Sequence, residues 1–330
     1  MSEIILEVED LHGYYKGTFG VVYAVNGVSF SANSGEIVGI AGESGCGKST
    51  LAELITGTPM PLLHHESGKI RICGFSIYEA DKETIRTEVS CKLVAYVPQY
   101  SFESLNPVKR VRDFLLDVMK ERTGQSMQKE DKVEILEKFT SHFKEVGLDP
   151  QVLDKYPHEL SGGMKQRVVI AISTLWNPFL LIADEPTSAL DVNSQRLLLE
   201  MIYNLMMLGK TKTILFISHD IPTIRQICTR CIVMYAGAIV EDGPMDDIVQ
   251  SPLHPYTQGL ISAIVSFNPD GSAECELSSI PGRPPDLRNP PAGCKFHPRC
   301  PQRMQICETE YPPFFFPAGE GHPVRCWLYK

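Results

Sequence analysis

No stretch of this 330-residue chain approaches the roughly 18 consecutive apolar residues that a membrane span requires. Val168 to Trp176, among the longest apolar runs, is broken by Ser173 and Thr174. The N-terminus, Met1-Ser2-Glu3-Ile4, lacks the basic and apolar regions of a signal peptide. These absences point to a chain that is soluble or held at a membrane by a partner. Basic residues are in deficit, with 31 Lys and Arg against 40 Asp and Glu and a formal net charge of -9. That deficit argues against a broad nucleic-acid footprint, which wants a basic face, but leaves room for a local basic patch. Internal repeats and low-complexity tracts are also missing. With 43% hydrophobic and 22% charged residues, a full core is expected and wholesale disorder is not. The length suits one large domain or two ordinary ones.

What is present concentrates in Gly42-Glu43-Ser44-Gly45-Cys46-Gly47-Lys48-Ser49, which reads G-x-x-x-x-G-K-S. An apolar run, Ile37-Val38-Gly39-Ile40-Ala41, precedes it, and a helix-like run, Thr50-Leu51-Ala52-Glu53-Leu54-Ile55, follows. A strand delivers the chain, glycines let backbone N–H groups curl around an anion, and the helix N-terminus adds partial positive charge. Lys48 is expected to reach the β- and γ-phosphates of a nucleoside triphosphate, and the Ser49 hydroxyl to hold Mg²⁺. The candidate nucleotide contacts are Gly42, Glu43, Ser44, Gly45, Cys46, Gly47, Lys48, Ser49 and Thr50. A plain Gly-rich turn does not explain why Lys and Ser follow in that order.

Residues 4–32 alternate in strand style, with glycine-rich turns. Gly68–Ile72 and Leu93–Val97 look like further strands. From about Val111 to Gly147 the pattern is helical and charged, with spaced apolar positions at Phe114, Leu115, Val118, Val133, Leu136, Phe139 and Phe143. Phe179–Ala183 is an apolar strand ending in Asp184-Glu185, and Thr213–Ile217 is another ending in Ser218-His219-Asp220. Buried strands that end in polar chemistry and are joined by helices predict a parallel α/β sheet with ligands at the strand carboxyl ends. After about residue 252 prolines crowd a loop-rich tail, from Pro269 to Pro323, that has little regular structure to bury a core. Such a tail calls for a covalent or metal staple.

Four further elements carry chemistry. Asp184 can hold Mg²⁺ through its water shell, and Glu185 can polarise an attacking water. Two solvated acids at a strand end are the plainer alternative. His219, at the end of a neighbouring strand, is placed to contact a γ-phosphate. Gln99, after Leu93-Val94-Ala95-Tyr96-Val97-Pro98, is a neutral amide able to touch Mg²⁺ or the attacking water. Leu160-Ser161-Gly162-Gly163-Met164-Lys165-Gln166 precedes an apolar helical run; Ser161 would cap that helix, making a second anion-binding helix end. One nucleotide does not need two such ends from one subunit, so Ser161 is expected to face the nucleotide of another subunit.

The ordered set across residues 1–250 resembles the nucleotide-binding subunit of an ABC transporter. It comprises the phosphate loop, the glutamine loop, the Leu-Ser-Gly-Gly signature, the Asp-Glu strand, Ser188-Ala189-Leu190-Asp191 and the switch histidine. The resemblance implies a P-loop α/β fold: a parallel sheet core, N-terminal antiparallel strands and a helical subdomain at about 100–175. It also implies two cassettes head to tail, with ATP between the phosphate loop of one and the signature of the other. On that basis Glu185, His219 and Gln99 are catalytic, and Ser49, Gln99 and Asp184 serve Mg²⁺. Ser161, Gly162, Gly163, Gln166 and Asp191 meet the nucleotide across the interface. An aromatic ring should stack on adenine, with Tyr15 the first choice and Tyr14 the second. Cys46 replaces a small residue such as serine, which would open the site to oxidation.

Ser104-Leu105-Asn106-Pro107, His254-Pro255-Tyr256-Thr257, Ile280-Pro281-Gly282-Arg283-Pro284-Pro285 and Gly293-Cys294-Lys295-Phe296-His297-Pro298-Arg299-Cys300-Pro301 resemble the oligopeptide/dipeptide importer branch, whose relatives also carry nickel or oligosaccharides. The expected division is residues 1–252 as the ATPase and 253–330 as that branch's extension. Cys294, Cys300, Cys307 and Cys326 are spaced C-x5-C-x6-C-x18-C, suited to a [4Fe–4S] cluster or a tetrahedral zinc. The resemblance favours the cluster, with His297 a substitute ligand. Cys73, Cys91, Cys228, Cys231 and Cys275 read as ordinary thiols.

The resemblance further implies a second, different cassette subunit and two separate permeases touching a groove near 100–150. It implies a solute-binding protein acting indirectly, no nucleic acid, and a peripheral position at the cytoplasmic membrane face. The competing expectation is a soluble ABC ATPase acting on nucleic acid or ribosomes. Such proteins usually join two cassettes or add a long coiled coil, and neither is found here.

Overall fold

The computed structural model describes residues 3–18, 20–123, 128–264 and 280–330; Pro269 and Cys275 lie outside them. Two sheets form the frame. The first, in the order β2-β1-β4-β5, pairs β1 (Ile4–Gly17), β2 (Gly20–Asn33), β4 (Leu63–Ile72) and β5 (Phe75–Ser76), all antiparallel. The second runs β10-β9-β3-β8-β7-β6. Its members are β3 (Ile37–Ala41), β6 (Val94–Val97), β7 (Leu180–Asp184), β8 (Thr213–Ile217), β9 (Arg230–Tyr235) and β10 (Ala238–Pro244). All neighbours in it are parallel except β9 and β10.

The central strands are apolar throughout because both faces are covered. Val38, Ile40, Leu180, Ile182, Leu215 and Ile217 join one core, beneath the antiparallel sheet; Ile37, Ala41, Leu181, Ala183, Ile214 and Phe216 join the other. Alternate side chains of each strand thus feed two cores. The helices that concern the site are α1 (Lys48–Thr56), α2 (Val111–Thr123), α3 (Lys129–Glu145), α4 (Gly162–Ser173), α5 (Val192–Met207), α6 (Ile221–Ile227), α7 (Met245–Gln250) and α8 (Pro255–Ser262). Leu115 of α2 and Phe139 and Phe143 of α3 bury with Val168–Ile172 of α4, which ties the helical arm to the sheet. Among the described residues, no helix is long and apolar enough to cross a membrane.

The C-terminal tail is bound into the ATPase core. Tyr256 and Phe296 belong to the same core as β7 and β8. The β10 edge is covered by backbone bonds from Arg325 N to Val240 O at 2.8 Å and from Asp242 N to Pro323 O at 3.0 Å. The fully buried Glu241 accepts from the N–H groups of Leu253 and His254 and bonds His322 at 2.8 Å. Covering an edge strand in this way removes a template for unwanted pairing.

Candidate active site at the phosphate loop

Parallel order sets the site. β3, β8, β7 and β6 are adjacent, and their carboxyl ends deliver the phosphate loop, His219, Asp184-Glu185 and Gln99 to one edge. Lys48, Gln99, Glu185 and His219, with Tyr15, Ser44, Gly45, Gly47, Ser49 and Thr50, line a cleft of about 310 Å³, and Asp184 precedes Glu185 without lining it.

The loop depends on missing side chains. Gly42 and Gly47 hold φ of 148° and 108°. A Cβ at Gly42 would lie 2.3 Å from Met234 O, and one at Gly47 2.2 Å from Ala24 O. Lys48 is buried at the start of α1 and donates to Gly42 O at 2.7 Å and Glu43 O at 3.1 Å. Its ammonium is thus held at the loop by carbonyls that an incoming phosphate would replace. Cys46 does not meet the expectation of a reactive thiol: it is buried, and burial pushes its pKa up, with Lys48 opposing. The thiolate that oxidation needs is therefore disfavoured.

Asp184 is 1% exposed; its Oδ2 accepts the Tyr96 hydroxyl at 3.2 Å and its Oδ1 has no partner. Burial raises its pKa, while the Ser49 and Tyr96 hydroxyls pull it down. A buried carboxylate oxygen without a donor, beside the Ser49 hydroxyl, fits a divalent cation. Glu185 sits at φ 49°, a strained setting for a non-glycine residue. Its carboxylate accepts the His219 backbone N–H at 3.0 Å and pairs with His219 Nδ1 at 2.8 Å. The His219 side chain is 59% exposed toward the cleft mouth. Gln99 is exposed at the rim.

Tyr15 lines the cleft and bonds Thr50 Oγ1 at 3.2 Å. Tyr14, one residue earlier, stacks instead on His64 at 5.3 Å. Strand alternation separates the two rings.

None of the signature residues lines this cleft. Ser161 caps α4, accepting the Met164 N–H at 3.3 Å, and is exposed. A Cβ on Gly162 would meet nothing within 4 Å, whereas one on Gly163 would lie 2.7 Å from Ser194. Gln166 departs from the expected role: it is 3% exposed and bonds Ser101 Oγ at 3.2 Å. It lies on the inward side of α4 and ties that helix to the segment after the glutamine loop. Asp191 is exposed and caps α5, accepting the Ser194 N–H at 3.0 Å.

In the tail, Cys294, Cys300, Cys307 and Cys326 are free thiols in one neighbourhood. Burial first, then Cys307 and Cys300, pushes Cys294 up to about 11; burial first, then the other three cysteines, pushes Cys326 up to about 12. Among the described residues, no group of three or more His, Cys, Asp or Glu side chains is close enough to hold a metal ion. The thiols are neighbours that are not drawn to bonding distance of a common centre. Neighbouring thiols of which Cys294, Cys300 and Cys326 are pushed up are what a cation would relieve. His297 Nδ1 is engaged by Cys294 O at 2.9 Å. Cys228 and Cys231 are buried, and Cys73 and Cys91 are exposed and half-buried.

Sequence reasoning does not reveal that the tail reaches the phosphate loop. Arg299 grips Glu43 through two bonds, at 2.7 and 2.9 Å, and Leu287 lines the nucleotide cleft. The only signal was the density of motif residues around 294–301.

A family model described as "ABC transporter" matches residues 25–188, and one described as "Oligopeptide/dipeptide transporter, C-terminal region" matches residues 240–307. The chain is 39% identical over 328 residues to "Dipeptide transport ATP-binding protein DppD" of Caldanaerobacter subterraneus, covering 99% of this chain and 98% of that one. The chain belongs to the ABC transporter ATP-binding subunits. This ABC ATPase is also 40% identical to "Oligopeptide transport ATP-binding protein AppF" of Bacillus subtilis, over 100% of this chain and 98% of the other. Among solved structures it is similar to cbiO1 from Clostridium perfringens, "part of the ABC transporter complex cbiONQ", at TM-score 0.63 and 26% identity, covering 76% of this chain and 92% of that one. It shares the fold of the cassette MJ0796 bound to ADP and Pi at TM-score 0.62 and 24% identity, over 73% of this chain and 99% of that one. As a member of the family, the ABC ATPase binds and hydrolyses ATP with Mg²⁺.

Proposed function

We propose that this chain is the ATP-hydrolysing subunit of an importer for dipeptides or oligopeptides. One observation carries the reading: the apolar strands of an ABC fold end together at Lys48, Asp184, Glu185 and His219, in a chain whose C-terminal region matches the oligopeptide/dipeptide type. Lys48 and the loop N–H groups bind the triphosphate, and Tyr15 offers its ring to adenine. Ser49, Gln99 and Asp184 would hold Mg²⁺, which neutralises charge on the β- and γ-oxygens. Glu185 orients the attacking water, and His219, already 2.8 Å from Glu185, answers to the γ-phosphate.

Ser161, Gly162 and Gly163 complete the site of a second cassette, the reading that their distance from this chain's own cleft supports. Gln166 acts from behind them and Asp191 as the cap of α5. The partner is a different cassette subunit, and the pair rests peripherally on two permeases at the cytoplasmic membrane face, supplied by a solute-binding protein. A cleft of about 250 Å³ between the sheet domain and the helical arm, lined by Arg86, Cys91, Val118, Arg122 and Trp176, suits a permease segment. Residues 1–252 form the cassette and 253–330 its brace. Cys294, Cys300, Cys307 and Cys326 would be the ligands of a [4Fe–4S] cluster, with zinc as the competitor, once drawn together.

The nucleic-acid reading has no support in the net charge of -9 or in the relatives. Co-expression with candidate permease subunits of the dipeptide and oligopeptide type tests the proposal. Vesicles holding the complex should take up labelled dipeptide with ATP; ATP hydrolysis without peptide stimulation or uptake would contradict it.

A further inference from the structure

The Arg299–Glu43 pair joins residues 256 positions apart in sequence. Arg299 Nη1 and Nη2 donate to the two Glu43 oxygens at 2.7 and 2.9 Å, the planar fork that arginine alone supplies. The Arg299 side chain is 6% exposed and that of Glu43 25%. The guanidinium is itself fixed: Nε donates to Pro281 O at 2.8 Å, and Nη1 also reaches the Tyr235 hydroxyl at 3.3 Å. The backbone N–H of Glu43 donates to the Tyr256 hydroxyl at 2.8 Å. Pro284 and Pro285 lie against Glu43 to Cys46, and Leu287 enters the wall of the cleft. The tail therefore touches the phosphate loop through a charge, a hydroxyl and an apolar wall.

Glu43 presents a physical difficulty. It is an anion inside a loop built to receive anionic phosphates. Left unpaired, its carboxylate would repel the substrate and compete for Lys48 and the loop N–H groups. A paired and immobilised carboxylate does neither. Arg299 is too buried to reach a nucleotide, so any effect it has on binding passes through Glu43.

We propose that Arg299 is a positioning residue of the nucleotide site: it neutralises Glu43 and holds that carboxylate away from the incoming phosphates. The tail is thereby a working wall of the ATP site, in addition to anything its cysteines bind. The inference rests on the nucleotide reading of the cleft, and ATP binding by the unaltered protein is the control that separates the two.

The experiment measures the ATP dissociation constant, and turnover at saturating ATP, for the full chain in its complex. Arg299→Ala should weaken ATP binding about tenfold, a change of about 1.4 kcal/mol, with turnover at saturation little altered. Arg299→Lys, which keeps the charge but not the fork, should fall between. In a Glu43→Gln background no carboxylate remains to be neutralised, so adding Arg299→Ala should change affinity by less than about threefold relative to Glu43→Gln alone. Should Arg299→Ala not fold, Arg299→Gln carries the same comparison. Unchanged affinity in Arg299→Ala, or an undiminished loss in the double variant, would overturn the proposal. A lowered melting temperature with unchanged affinity would assign Arg299 to packing alone. If the unaltered protein failed to bind ATP, the nucleotide reading itself would fall.

Discussion

Glu185 meets substrate with one carboxylate oxygen, Oε1, already taken by His219, while Oε2 makes only the longer contacts to Ser188 at 3.3 Å and Ser218 at 3.5 Å. His219 Nδ1 lies 2.8 Å and the His219 N–H 3.0 Å from Oε1. Its left-handed φ of 49° is the strain expected where geometry serves chemistry rather than stability. Glu185→Gln keeps size and hydrogen bonding but removes the base. Turnover should fall by about 10²- to 10⁴-fold while ATP affinity is retained, as equilibrium binding and steady-state hydrolysis would measure. Unchanged turnover would remove Glu185 from its role. Lys48, Asp184, Glu185 and His219 were legible in sequence because each follows an apolar strand. Gln166 was not, because a linear signature does not tell which side of α4 faces inward. The Glu43–Arg299 pair was invisible, since nothing local links residues so far apart.

Elements explain how the signature and the tail are held. The paired glycines at the start of α4 have different surroundings. A methyl group at Gly162 meets nothing within 4 Å, while at Gly163 it strikes Ser194 of α5 at 2.7 Å. Gly163→Ala should therefore destabilise the protein by about 1–3 kcal/mol through overpacking. Gly162→Ala should leave the melting temperature unchanged yet lower hydrolysis if, as proposed, its open side faces the second cassette's nucleotide.

The tail's acid response follows from His254. Its ring is buried, and Nδ1 accepts the Tyr256 N–H at 3.0 Å. Burial pushes its pKa down to about 4, against the pull of Glu241. The unfolded ring gains its proton near pH ~6.5 and the folded one resists, so stability is intact above that pH and falls as pH drops toward 4. The loss amounts to about 3 kcal/mol. Burial alone would raise the Glu241 pKa, but bonds from His322 and two backbone N–H groups, with the nearby Thr257 hydroxyl, hold it below its ordinary 4.5. Its stabilisation is therefore lost only at lower pH. Thermal melts between about pH 7 and pH 4.5 should show a shallower fall for His254→Gln. The strands of the sheet core near the motifs were readable from apolar runs. β9 was marked only as a helix-to-strand stretch around Cys228 and Cys231, and β10 not at all, because it carries Glu241 and Asp242 in a buried run.

At the scale of the molecule, two facts define the site. One cleft gathers the phosphate loop, Glu185 and His219, and the signature of the same chain stands outside it. On the proposed head-to-tail pairing, a single protomer would hold two halves of different sites. The cassette class was legible across the chain because motif order survives without knowledge of packing. The fusion of the tail to the ATPase core was not, because a proline-rich segment gives no periodicity from which to read contacts such as Tyr256 with Phe296. The decisive measurement is ATP turnover per protomer across a dilution series of the assembled cassette pair, with sedimentation run in parallel. Turnover should fall as the pair dissociates and return on concentration. Separated protomers hydrolysing ATP at the undiluted rate would contradict the account.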